Sequence, residues 1–147
     1  MTCELVPGST PDLEKKGQMH PPNELVNVRY LVDDVDEAVA FYTSHFGFKV
    51  LSDAAPAFAD VARGQLRLLL SGPTSSAGRP MPDGRAPRPG GWNRIHLIVD
   101  DIGAEVARLR RAGVTFRNDV VQGPGGQQIL VDDPSGNAVE LFQPAST

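Results

Sequence analysis

The sequence predicts an α+β fold made of two βαβββ modules in one chain. Three observations carry this: a phrase that occurs twice, helix-capping residues at the same place in each copy, and short-hairpin turn chemistry between apolar runs. Residues 28–39, VRYLVDDVDEAV, lie over residues 95–106, IHLIVDDIGAEV. Apolar positions coincide at Val28 and Ile95, Leu31 and Ile98, and Val32 and Val99, and the acid pairs Asp33-Asp34 and Asp100-Asp101 coincide at a spacing of 67 residues. An internal repeat sets the architecture before any single element does. One copy alone would leave an apolar sheet face uncovered, so the two must pack on each other or on another chain.

In chain order, residues 1–24 read as a mobile N-terminal leader containing Pro, Gly and Lys. The first module spans 25–72. Its opening strand alternates faces and runs into a helix that Asp34 caps, with Glu37 three residues on in capping-box spacing. Val35, Ala38, Val39, Tyr42 and Phe46 follow helical periodicity, and Gly47 can take the left-handed conformation that closes the helix. Strands are expected at 48–51, about 58–61, and 66–71. Residues 73–91 are rich in Gly and Pro and lack periodicity; their composition accounts for a linker, and a flap over a site is the alternative. The second module spans 92–144, with Val106, Leu109 and Ala112 on its helix before Gly113, and strands at 114–118, 128–131 and 138–143. DDPSGN at 132–137 is strong hairpin chemistry, and GPGGQQ at 123–128 reads as a turn whose glycines permit close backbone approach, since it leads into a strand and not a phosphate-binding helix.

Bulk properties exclude several functions. With 14 basic and 18 acidic residues and a net charge of -4, the scattered cations form no phosphate-binding stripe, so nucleic acid is not an expected partner. The lone cysteine, Cys3, cannot form an internal disulfide. No signal-like apolar segment opens the chain, and no apolar run approaches the roughly 20 residues that span a bilayer. The expectation is a cytoplasmic protein without a membrane partner.

The doubled βαβββ pattern, the phrases LVDDVDEAVAFY and LIVDDIGAEV, and the closing DDPSGNAVELFQP resemble the vicinal oxygen chelate superfamily, which includes glyoxalase, bleomycin-resistance proteins, extradiol dioxygenases and fosfomycin-resistance enzymes. The resemblance covers about residues 25–144. It implies a U-shaped mixed sheet around a cavity and, from the bleomycin-resistance proteins, a homodimer. In metal-dependent members the ligands are a His or Gln near the start of each module's first strand and a Glu or His on its last. Carried over, those positions are Asn27 and Arg94 on the first strands, Glu140 on the last strand of the second module, and about Leu68 in the first. Arginine stays cationic and has no lone pair to give, and leucine donates nothing. Glu140 and the Asn27 amide oxygen are too few for a zinc or iron site, so no metal and no cofactor are expected.

His96 shares a strand face with Arg94 and with Glu140 could make a partial two-ligand site, although a hydrogen-bonded histidine is the commoner situation. Arg94 then either pairs with Glu140 as an internal ion pair or receives an anionic or carbonyl group of a ligand through paired N–H donors. The candidate ligand-binding residues are Asn27, Arg29, Trp92, Arg94, His96, Gln128 and Glu140. Trp92 either stacks on a planar ligand or covers a sheet edge.

Three functions compete. The first is a metal-free protein that binds a small organic molecule in a cavity, which needs a concave, largely apolar space with a few placed polar groups. The second is a metal-independent lyase, isomerase or epimerase acting beside a carbonyl, with Arg94 stabilising an enolate oxygen while Glu140 or His96 moves the proton; a Glu140 locked in an ion pair would be a poor base. The third, a glyoxalase-like or dioxygenase-like metal enzyme, has only His20, His45 and His96 as imidazoles and is disfavoured by where they fall.

Overall fold

A computed structural model describes residues 24–146; the leader reading of residues 1–23, with Cys3 and His20, lies outside them. The first module runs β1 (Val26–Leu31), α1 (Val35–Phe46), β2 (Lys49–Ala54), β3 (Phe58–Arg63) and β4 (Leu66–Ser71). The second runs β5 (Arg94–Ile98), α2 (Ile102–Arg111), β6 (Val121–Gly123), β7 (Gly126–Asp132) and β8 (Ala138–Pro144). The eight strands form two mixed four-stranded sheets of identical topology, β1-β4-β3-β2 and β5-β8-β7-β6. In each, the first and last strands pair in parallel and the rest antiparallel. The two βαβββ modules of the sequence reading are thus present, and so is the α+β class.

Local chemistry explains the elements. Asp34 and Asp101 are both N-caps in extended conformation, their carboxylates accepting from the amides of Glu37 and Ala104. This satisfies one of the orphan donors of each first turn. Gly47, at φ 71, ends α1 in the left-handed region. Helix α1 buries Val35, Ala38, Phe41, Tyr42 and Phe46, whereas α2 buries only Ile102 and Leu109; Ala112, expected on that apolar stripe, is exposed.

The expected strand at 114–118 is replaced by a single bridge between Phe116 and Val131, and the edge strand forms later, at β6. The physical reason lies in Asn118: its side-chain Oδ1, not a backbone carbonyl, accepts the Leu130 amide at 2.9 Å, which breaks the ladder after one rung. The glycines of GPGGQQ behave as read. Gly126 sits at φ 148, and a Cβ there would overlap the carbonyl oxygen of Gln143.

One apolar core runs through both modules, from Tyr42, Val61, Leu68 and Leu70 to Leu97, Leu109, Ile129 and Leu141. Polar stitches join the halves within it. The Tyr30 hydroxyl of β1 accepts from the Ile95 amide at 2.8 Å and donates to the Ala138 carbonyl at 2.6 Å, so a phenol spans two parallel strands of the other sheet. The 132–137 hairpin adds a second stitch. Buried Asp133 accepts the Tyr42 hydroxyl, while Asn137 donates to the Leu31 carbonyl and accepts from the Gly90 amide. Among the described residues no helix is long and apolar enough to cross a membrane.

Candidate functional site

Each sheet has one face covered by the core and one open face, and strand alternation decides which side chain goes where. On β5 the buried residues are Ile95 and Leu97, so Arg94, His96 and Ile98 point to the open side. The register places His96 beside Glu140, and Leu130 beside Glu140 on the other flank, with Gln128 beside Phe142. Arg94, His96, Gln128 and Glu140 therefore share the open face of the second sheet. Asn27 and Arg29 occupy the open face of the first, and among the described residues no hydrogen bond or ion pair joins the two groups.

At the centre of the second face, Arg94 Nε donates to Glu140 Oε1 at 3.0 Å, and His96 Nε2 lies 3.6 Å from Oε2. Glu140 is 7% exposed, so its carboxylate is removed from water and both oxygens face cationic or protonatable neighbours. Arg94 also donates to the Trp92 carbonyl at 3.1 Å. The His96 ring lies 4.8 Å from that of Phe142, at 37°. Gln128 is half-buried and makes no side-chain hydrogen bond among the described residues.

Trp92 is largely exposed just before β5, with the Arg117 guanidinium 4.7 Å over its ring. Arg117 is itself fixed by Asp132 and by the carbonyls of Gly91 and Gly136. One ring face is thus occupied by an intramolecular cation.

The register corrects one assignment. Leu68 is fully buried on the helix-covered side of β4. Arg29 pairs with Leu69 as His96 pairs with Glu140, which makes Leu69 the first-module counterpart of Glu140. A leucine stands at that position either way. The four places that a metal would require are therefore held by Asn27, Leu69, Arg94 and Glu140, and this donor set does not fit a divalent ion: one carboxylate, one amide, an aliphatic chain and a fixed cation. No group of three or more His, Cys, Asp or Glu side chains converges among the described residues.

Sequence reasoning missed a second polar cluster, on the open face of the first sheet. Asp60 of β3 is 1% exposed. It accepts from the Ser52 hydroxyl of β2 and, at 2.5 Å, from Arg67 Nε of β4. Burial alone would raise its pKa, but the hydrogen bonds from Ser52 and Arg67 and the Arg67 charge outweigh it and hold the carboxylate below its usual range. Beside it, Arg29 Nη1 donates to the fully buried Ser71 hydroxyl at 2.9 Å. The available signal was an aspartate amid FADVAR, and an arginine alternating with leucines in LRLLLS.

Tyr30 and Tyr42, acids in principle, are committed elsewhere. Burial, helped by the Asp133 charge, pushes the Tyr30 phenol up to about 12, and burial and Asp133 also raise that of Tyr42 well above its ordinary value. Two cavities flank these features. An apolar groove of about 340 Å³ runs along the seam between modules, lined by Val26, Val28, Leu66, Ile95 and His96 among others. A larger one of about 610 Å³ is lined by His45, Arg63, Asp100 and Arg108 among others, and by none of the candidate residues.

Residues 24–141 match the model of a family described as the Glyoxalase/Bleomycin resistance protein/Dioxygenase superfamily. No curated protein matches the chain. Among solved structures, a member of that superfamily from Sphaerobacter thermophilus is 29% identical, with 81% of this chain and 95% of that one covered and a TM-score of 0.66. An antibiotic binding protein from a Streptomyces species is 28% identical, covering 86% and 100%, with a TM-score of 0.65. A lactoylglutathione lyase from Agrobacterium tumefaciens is 25% identical, covering 84% and 96%, with a TM-score of 0.63.

Proposed function

The chain belongs to the Glyoxalase/Bleomycin resistance protein/Dioxygenase superfamily, and from that premise we propose that it binds a small organic molecule in a metal-free site, working as a homodimer. The observation that carries the reading is the Arg94–Glu140 pair. A permanent cation stands where a metal ligand would be needed and is neutralised by the one carboxylate that could have bound the metal. Around it the open face offers what a binding site uses: an aromatic contact surface in Phe142 and His96, an apolar neighbour in Leu130, and the uncommitted amide of Gln128. The likeness to an antibiotic binding protein at 28% identity supports binding over turnover.

The same pair weighs against a proton-transfer enzyme. Glu140 is buried against Arg94 and is not free to act as a general base. The dimer is supported by the edges. β2 and β6 form the edge of each sheet opposite β1 and β5, and Val50, Leu51 and Val121 leave apolar side chains exposed there, on strands that a second chain would cover.

The test is a thermal-shift screen of small organic molecules, run beside elemental analysis of protein incubated with zinc, nickel, manganese and ferrous iron. A binder at 100 times its Kd should add about 2.7 kcal/mol of stability, and the shift should vanish in Arg94→Ala and weaken in Arg94→Lys. One equivalent of metal per chain, lost on mutating Glu140, would overturn the metal-free assignment.

A further inference from the structure

We propose that the open face of the first sheet is a receptor for an oxyanion, the carboxylate or phosphonate group of the bound molecule, gripped by Arg67 and Arg29 beside Leu69. This rests on the small-molecule reading above and names the chemical class of the ligand.

The two sheets treat their arginines differently. On the second, the charge of Arg94 is matched by Glu140. On the first, Asp60 binds Arg67, while Arg29 is held by the neutral hydroxyl of Ser71 and has no carboxylate partner among the described residues, so one positive charge is left over on that face of β1, β3 and β4. Arg67 is held through Nε alone, at 2.5 Å, by a carboxylate that is 1% exposed and is itself anchored by Ser52. That attachment fixes the plane of the guanidinium. Its two Nη groups have no hydrogen-bond partner among the described residues.

Arg29 is held in the same manner through Nη1 on buried Ser71, which leaves Nε and Nη2 without partners among the described residues. In register, Arg67 pairs with Asn27 and Arg29 with Leu69, so the two arginines stand on adjacent strands two residues apart along one face. Neighbouring strands lie about 4.8 Å apart and two residues advance about 6.6 Å, which separates the two backbone positions by roughly 8 Å. Their anchors, Ser71 two residues beyond Leu69 on β4 and Asp60 paired with Leu69 from β3, both neighbour that leucine, so the two guanidinium groups are held beside one open-face position, and Asn27 lies on the same face. Two pre-oriented forks with outward N–H donors are the geometry that recognises planar or tetrahedral oxyanions, and their anchoring lowers the ordering cost of binding. A purely structural Arg67–Asp60 pair would have no need of the second arginine, nor of an outward fork on a side chain that remains 34% exposed.

The probes are benzoate, phenylphosphonate, inorganic phosphate and the neutral isostere benzamide, followed by calorimetry and by the Nε–Hε resonances of the arginines in the full chain. Benzoate and phenylphosphonate are expected to bind at least tenfold tighter than benzamide and to shift the Arg29 and Arg67 resonances. Arg29→Gln and Arg67→Gln should each weaken the anions about tenfold, and Arg67→Lys, which keeps the charge without the fork, by less. Comparison of benzoate with phenylphosphonate and phosphate decides between carboxylate and phosphonate. Because Arg67→Gln strands Asp60 and can cost folding, the Asp60→Asn/Arg67→Gln double variant must lose the anions as well. Benzamide binding as tightly as benzoate, or anion affinity unchanged in both arginine variants, overturns the assignment. A neutral molecule whose binding depends on Arg94 and not on Arg29 or Arg67 would overturn it as well while leaving the proposed function standing.

Discussion

Tyr30 is a phenol set between the strands of a sheet to which it does not belong. It accepts from Ile95 and donates to Ala138, a role that only the protonated hydroxyl can fill. Tyr30→Phe leaves that amide and that carbonyl without the bridge inside the core, and should lower stability by roughly 1–3 kcal/mol in a denaturant titration. The linkage has a definite sign. The folded pKa is raised, from 10.0 to about 12, so the contribution of Tyr30 is complete below pH 10 and is lost as pH rises through about 12. His45 is the opposite case. Burial, then the Arg108 charge, lowers its pKa from 6.5, so folding favours the neutral ring and stability falls as pH drops below about 6.5. In His45→Gln the acid-side loss of melting temperature should be smaller than in the wild type, and an unchanged profile would assign that loss to other groups. Asp60, with its pKa depressed, adds a further loss only in strong acid, below its unfolded value of 3.8.

At the scale of elements, the caps and the strands answer to different physics. Asp34 and Asp101 act through their own helices, so Asp101→Ala should cost about 1 kcal/mol, measured by chemical denaturation, and Asp34→Ala a similar amount. Such caps depend on residues within one turn and were legible from the DD repeat. β6 was not. Its displacement from 114–118 depends on a side chain, Asn118, reaching Leu130 twelve residues away, and apolar periodicity does not encode a side-chain acceptor that ends a ladder. Gly126 shows how strict the second sheet is: Gly126→Ala places a methyl group against the Gln143 carbonyl and should destabilise the β7–β8 pair far more than a cap deletion does, with amide exchange in residues 126–131 as the measurement.

At the scale of the whole molecule, Asp133 and Asn137 form the joint. Asn137 reaches Leu31, Gly90 and Asp133, and Asp133 holds Tyr42. Asn137→Ala should therefore loosen one module against the other, seen as raised amide exchange at Leu31 and Tyr42 together, whereas a merely local turn residue would disturb residues 132–137 alone. The sequence by itself determined the repeat, both helix caps and the α+β class, and singled out Arg94 and Glu140 as candidates, because each rests on short-range periodicity or on side-chain chemistry that needs no coordinates. Only the tertiary structure decided that Arg94 and Glu140 meet, that Leu69 rather than Leu68 faces the open side, that Tyr30 and the DDPSGN turn join the modules, and that Asp60 and Arg67 form a second polar cluster. Those outcomes depend on register and on contacts across 46 residues and more for the ion pair and the stitches, and a one-residue slip in a strand sends every side chain to the other face.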